Sequence, residues 1–252
     1  MRTLLALACC ALVFAGVALC DDEHGTVRVA VASNFITTQE ALVKKFAESS
    51  GHTVTSSAGS TGKLFAQISN GAPFDIFLSA DEEHVAVLEK RGLAAKGSRF
   101  TYAIGRLAVY SPVVAGIANG AEALKAAQIT HLAIANPETA PYGEAAVAAL
   151  RNLDLWDHFQ GRIVYGENIA QTMQFVDSGG AEAGVVAYSQ VHLREKKLYW
   201  IVPGKAHPPL NQDAALLEAG TKNTAAAAYC AFLKSEDARR IIAESGYSAP
   251  AR

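Results

Sequence analysis

Ser60, Thr61, Gly62 and Lys63, in the run AGSTGKL (58–64), could serve three different chemistries. A nucleotide loop would use the glycines and the lysine to hold phosphates. A serine acyl enzyme would use Ser60 as nucleophile and Lys63 as its base. A small anion would need only hydroxyls and backbone N–H groups. The first requires Gly, four residues, then Gly-Lys-Ser/Thr, because the last hydroxyl holds magnesium; here Ser57 and Leu64 occupy the two anchor positions. The second requires S-D-N and K-T-G elements besides S-x-x-K, and neither string occurs. The seven histidines are widely spaced with none paired at i, i+4, so no zinc pattern can be assembled. No G-x-S-x-G elbow or G-x-G-x-x-G fingerprint is present. Catalysis has no support in the residues, and the anion reading is left.

Its plausibility depends on the elements that position the run. TVTSS before it reads as a strand and KLFAQISNG after it as a helix, so Gly59 to Gly62 form the turn at which a helix begins. Such a turn offers free backbone N–H groups and a positive dipole end. Similar turns recur at Ser33-Asn34 after TVRVAVA (26–32), at Pro141-Tyr142-Gly143 before EAAVAALRNL, and at Glu167-Asn168-Ile169 after GRIVYG. Each lies at the carboxyl end of an expected strand, where open α/β sheets bind ligands. Taken singly, Ser, Thr, Asn and Gly at helix starts are ordinary caps. Four such starts converging on one cleft would surround a small anion with uncharged donors.

Strands and helices alternate through the chain, which implies parallel sheets covered by helices. In FITTQEALVKKFAES, Phe35, Leu42, Val43 and Phe46 share one helical face. The long β-rich segment FTYAIGRLAVYSP (100–112) reads as a strand leaving one lobe and entering another, and PGKAHPPLNQDAAL (203–216) as the return. NTAAAAYCAFLKSEDARRIIAESG supplies two closing helices, the second capped at Ser235. The expected organisation is a first lobe at 21–104, a second at 105–212 and a return to the first at 213–252, with a cleft between them.

The opening MRTLLALACCALVFAGVALC has the basic start, apolar centre and small-residue end of a secretory signal peptide, residues 1–20. Lipid attachment at Cys20 is disfavoured by the bulky Leu19. Cleavage would leave Cys230 as the one thiol, and its apolar helical setting suggests a buried small hydrophobe. The net charge of −2 and scattered basic residues argue against nucleic acid.

The strings VASNFITTQEALVKKFAESSGHTV, SSAGSTGKLFAQISNGAPFDIFLSADEEHVAVLEKRGL, GSRFTYAIGRLAVYSP, ANPETAPYGEAAVAAL and GVVAYSQV resemble the periplasmic molybdate-binding proteins of molybdate ABC importers. The resemblance runs from Val27 to Tyr247. It implies a two-lobed, class II-type α/β binding protein, each lobe a mostly parallel sheet flanked by helices, joined by two hinge crossings. It also implies a periplasmic monomer that is not an enzyme, carries no cofactor, binds molybdate or tungstate and delivers it to a membrane permease. Sulfate, alike in charge and shape, is the alternative ligand. Carried over by position, the oxyanion ligands are Ser33, Asn34, Thr61, Tyr142 and Ile169, the last through its backbone N–H only, with Ser60 a further candidate. Molybdenum would be held as its oxyanion, with no side chain bound to the metal. Where one branch of that family has a ligand tyrosine, this chain has Ala187, and Tyr188 would face away on a regular strand. Lys63 is expected to point to solvent, while Glu144 and Glu167 are the carboxylates nearest the site in sequence.

Overall fold

Val27, Val29 and Val31, spaced by two, suit a pleated strand, and the strand they form is buried on both faces from Val29 onward. This is β1 (Thr26–Ala32), followed by α1 (Ile36–Ser50), β2 (Thr53–Gly59), α2 (Thr61–Ser69), β3 (Ile76–Leu78), α3 (Glu83–Lys90) and β4 (Phe100–Gly105). The computed structural model describes residues 25–250; the proposed leader, with Cys9, Cys10 and Cys20, lies outside them. The chain continues through β5 (Leu107–Tyr110), β6 (Leu132–Ala135), α4 (Pro141–Asn152), β7 (Ile163–Gly166), α5 (Ile169–Asp177), β8 (Ala183–Ala187), the short α6 (Tyr188–Val191) and β9 (Tyr199–Ile201). It closes with β10 (Leu210–Leu216), α7 (Thr224–Leu233) and α8 (Glu236–Glu244).

Two five-stranded sheets result, in the orders β2-β1-β3-β10-β4 and β7-β6-β8-β5-β9. The segment 100–112 divides as its length suggests: β4 belongs to the first sheet and β5 to the second, with Arg106 alone between them. The return runs from β9 to β10. Both sheets are mostly parallel, as expected, but each is mixed by one reversed strand, β10 in the first and β5 in the second. In the first, β1 runs parallel to β2 and β3, while β10 is antiparallel to β3 and β4. In the second, β6 runs parallel to β7 and β8, while β5 is antiparallel to β8 and β9. The physical reason is the crossings: strands that switch sheets arrive without a helical return and so pair in the opposite sense.

Helices cover both faces of each sheet. On one side of the first, Phe35, Leu42 and Phe46 pack with Tyr229 and Leu233; on the other, Leu64 and Ile68 pack with Val85 and Leu88. The closing helices are capped: Ser235 Oγ accepts from Ala238, as its sequence suggests, and the Asn223 side chain accepts from Ala225 and Ala226. Cys230 is part-buried in α7 and unpaired, and burial pushes its thiol up to about 11, which fits a packing role. No described helix is long and apolar enough to cross a membrane. Tyr188 departs from expectation: β8 stops at Ala187, so Tyr188 starts a helical turn instead of extending the strand, and its ring lies under the Arg106 guanidinium, 4.7 Å away.

Candidate functional site

The carboxyl ends of β1, β2, β6 and β7 all feed turns that meet between the sheets. β1 runs into a 3-10 turn, Ser33–Phe35; β2 ends at Gly59, and Ser60 holds the residue position just before α2 without a side-chain cap bond. After β6, a loop leads to α4 with Pro141 at its first position, where the missing N–H costs nothing. After β7, Asn168 caps α5. The four expected helix starts are thus three α-helix N-termini and one 3-10 turn.

These turns enclose a small cavity lined by Ser33, Asn34, Ser60, Thr61, Tyr142 and Ile169, with Gly59, Pro141 and alanines completing the wall. All six sequence-derived candidates come together, and no lining residue is acidic or basic. Its free space, mouth included, is about 190 Å³. That is far too little for a nucleotide. Two larger clefts, of about 1290 and 1420 Å³ with their mouths included, flank it. Glu144 lines the first of these and not the cavity.

The donors are free for structural reasons. Asn168 Oδ1 accepts from the N–H groups of Ala170 and Gln171 at 2.9 and 3.1 Å, leaving the Ile169 N–H of the same first turn outside that cap. Thr61 Oγ1 accepts from Ala80 N–H at 3.0 Å, so its proton is available to another acceptor. Ser60 Oγ is buried without any partner, a costly state unless a ligand supplies one. Tyr142 is 2 % exposed, and burial, with Tyr247 nearby, holds its phenol well above the ordinary range. It therefore remains a hydroxyl donor at any working pH.

Asn34 differs from expectation. Its Nδ2 donates to Gln212 Oε1 at 2.9 Å and to Tyr247 Oη at 3.0 Å, so both amide protons serve the protein. What Asn34 can offer the cavity is its main-chain N–H at the start of the 3-10 turn. Gln212 is itself a residue that sequence reasoning missed: fully buried on β10, it also donates from Nε2 to Tyr142 Oη at 3.1 Å. Among the described residues that is the only hydrogen bond of the Tyr142 hydroxyl. Only its place in the return crossing could have singled Gln212 out.

The two halves touch around the cavity. Gly62 N–H donates to Thr139 O at 2.9 Å, and Ser189 Oγ donates to Asn34 O at 3.3 Å. Lys63 is not simply solvent-facing: its Nζ pairs with Glu167 Oε1 at 2.5 Å across the lip, each side chain about half exposed at 49 and 54 %. This also accounts for Glu167, whose carboxylate is spent on Lys63 outside the cavity wall. An exposed pair of this kind contributes little. Lys63→Ala is expected to weaken anion binding by no more than about fivefold, less at high salt, by titration calorimetry at two ionic strengths. Among the described residues, no three His, Cys, Asp or Glu side chains gather as a metal site.

Comparison with known proteins agrees with this architecture. Residues 27–248 match the family model described as bacterial extracellular solute-binding protein. The molybdate-binding protein ModA of Azotobacter vinelandii is 43% identical over 92% of this chain and 94% of its own. That of Rhodobacter capsulatus is 39% identical over 98% and 97%. The solved periplasmic molybdate-binding protein of Azotobacter vinelandii superposes with a TM-score of 0.84 at 36% identity, covering 89% of this chain and all of that one. With its two mixed sheets, its double crossing and this full-length similarity, the chain belongs to the bacterial extracellular solute-binding proteins.

Proposed function

We propose that this protein binds molybdate, and tungstate in the same way, outside the cytoplasm and presents it to the permease of an ABC importer. The observation that carries the reading is the cavity wall: hydroxyls and first-turn amides from both halves, and no charged side chain. Molybdate at neutral pH is a tetrahedral dianion without a proton, so it needs donors alone. Bonds from N–H and O–H to an ionised acceptor are stronger than neutral ones. A counter-charge is not required where several preorganised dipoles point at one small anion.

In this reading Ser33, Ser60, Thr61 and Tyr142 donate hydroxyl protons, and Asn34 and Ile169 donate main-chain N–H. The orphaned Ser60 Oγ gains the partner it lacks. Because the donors come from both lobes, the anion stabilises the closed arrangement, which the permease would recognise in a monomeric partner delivered by its leader. The work is binding without covalent change, and the similarity to two ModA proteins near 40% identity supports this ligand over other small anions.

The test is a thermal-shift panel of molybdate, tungstate, sulfate, phosphate and chloride on the mature protein. Molybdate at a thousandfold excess over its dissociation constant is expected to add about 4 kcal/mol of stability. Tungstate should match it, and phosphate should do nothing. A larger shift with sulfate than with molybdate would overturn the assignment.

A further inference from the structure

We propose that Gln212 is the positioning residue that makes the cavity donor-only, and thereby sets its preference for fully deprotonated oxyanions over protonated ones. The inference rests on the oxyanion reading above and adds to it a residue that does not line the cavity. Gln212 lies on β10 at an irregularity in its pairing with β4, and no part of it is exposed. From there it spans the two halves, touching Asn34 and Tyr102 of the first and Tyr142 of the second.

A chain of hydrogen bonds fixes which way its amide faces. Tyr247 Oη donates to the Asn34 main-chain oxygen at 2.7 Å. With its one proton committed, Tyr247 can only accept, so Asn34 must turn Nδ2 toward it, as observed at 3.0 Å. The second Nδ2 proton then meets Gln212, which must present oxygen. Tyr102 Oη lies 3.0 Å from the Ser79 main-chain oxygen and 3.1 Å from the same Gln212 oxygen, so its single proton is shared between two acceptors and the orientation is set by Asn34 and Tyr247. Gln212 is left with Nε2 facing Tyr142, and an amide nitrogen cannot accept. Tyr142 Oη must therefore accept, and its proton turns to the cavity.

The consequence is chemical discrimination. If the Gln212 amide were reversed, its oxygen would take the Tyr142 proton, and the hydroxyl would show the cavity a lone pair. A hydrogen phosphate-type anion could then place its own O–H against it. With the amide fixed as it is, that O–H is buried without an acceptor, whereas a bare dianion gains one more donor.

Gln212→Glu tests this directly, because the shape is kept and the proton inventory changes. Ionised, the introduced carboxylate accepts from both Asn34 and Tyr142 and withdraws the donor from the cavity. Protonated, its O–H donates to Tyr142 and restores the original arrangement. Binding of molybdate by Gln212→Glu should then take up as much as one proton. Its dissociation constant should rise by up to about tenfold per pH unit above the pKa of the new carboxyl, while the parent protein stays flat. Calorimetry between about pH 6 and about pH 8.5, in buffers of different ionisation enthalpy, reads both quantities.

The titratable groups around Gln212 are Tyr102 on β4, Tyr142 on α4 and Tyr247 after α8, all held high by burial. Beyond them are Asp213, which Arg99 pairs at 3.0 Å, and Asp81 near it. These are common to both proteins, so the difference between them isolates the substitution. A variant that melts cooperatively and binds with a pH-independent constant overturns the inference. Gln212→Met provides a second reading: with Tyr142 free to turn, the ratio of molybdate to phosphate affinity should fall at least about tenfold, and an unchanged ratio also overturns it. If the parent protein itself fails to bind molybdate in the same titration, the oxyanion reading falls, and this inference with it.

Discussion

Asn34→Asp is expected to weaken molybdate binding by at least about two orders of magnitude, roughly 3 kcal/mol or more, while leaving a protein that still folds. The loss has two sources. A carboxylate at this position sits beside a cavity meant for a dianion, in a setting where Asn34 is 5 % exposed and screening by water is weak. It also disturbs the neighbouring amide. The present Nδ2 donates to Gln212 Oε1 at 2.9 Å; an oxygen in its place would face another oxygen. Gln212 would have to reverse, and its Oε1 would then claim the proton of Tyr142. One substitution thus adds a charge and removes a donor. Because the buried carboxylate favours its neutral form, binding should recover in part as pH falls, which is the sign opposite to an ordinary loss of an anion's charge. Titration calorimetry at two pH values checks both points. A loss of less than about fivefold would show that Asn34 stands apart from the anion.

The gross plan was legible because it is written in local pattern. Period-two valines marked β1, the cap residue Ser235 began the last helix, and the turns at 33–34, 59–62, 141–143 and 167–169 placed the cavity wall between two sheets. Ser60 and Thr61 could be named as donors because their place at a helix start is a matter of neighbouring residues. What stayed hidden depends on distant pairs. Gln212 lies 178 residues from Asn34 and 70 from Tyr142, the two side chains it joins. Lys63 finds Glu167 at a separation of 104. No periodicity encodes such meetings, and an isolated glutamine in a strand reads as any polar residue. The one reversed strand of each sheet was obscured for a related reason: alternation of strand and helix predicts parallel neighbours, but β5 and β10 arrive by crossings that carry no α-helix. Tyr188 was misplaced because a strand's end is set by its partner, here β5, whose pairing with β8 stops at Ala187.

Gly105→Ala is expected to cost nearly as much affinity as removing the Tyr142 hydroxyl outright, although Gly105 contributes no atom to the cavity. Gly105 ends β4, opposite Leu210 of β10, one residue before the chain crosses to the second sheet. A methyl group there would lie 2.2 Å from Tyr142 Oη and 2.6 Å from Gln212 Nε2. Neither atom can yield cheaply, since Tyr142 is buried within the core of the second sheet and Gln212 is wholly buried. The hydroxyl must shift by about an ångström, which breaks its bond to Gln212 and misdirects its proton, and overpacking of this kind costs about 1–3 kcal/mol of stability. Affinity should fall by about 10- to 100-fold, the range for losing one hydrogen bond to a charged ligand. Stability and affinity can be separated by adding Tyr142→Phe, which deletes the atom in closest conflict. The double variant should resist urea better than Gly105→Ala alone, yet bind molybdate no more tightly than Tyr142→Phe. If instead each substitution weakens binding independently, so that the double variant shows the sum of both losses, then Gly105 acts through the crossing itself and the Tyr142 hydroxyl is not its route to the anion.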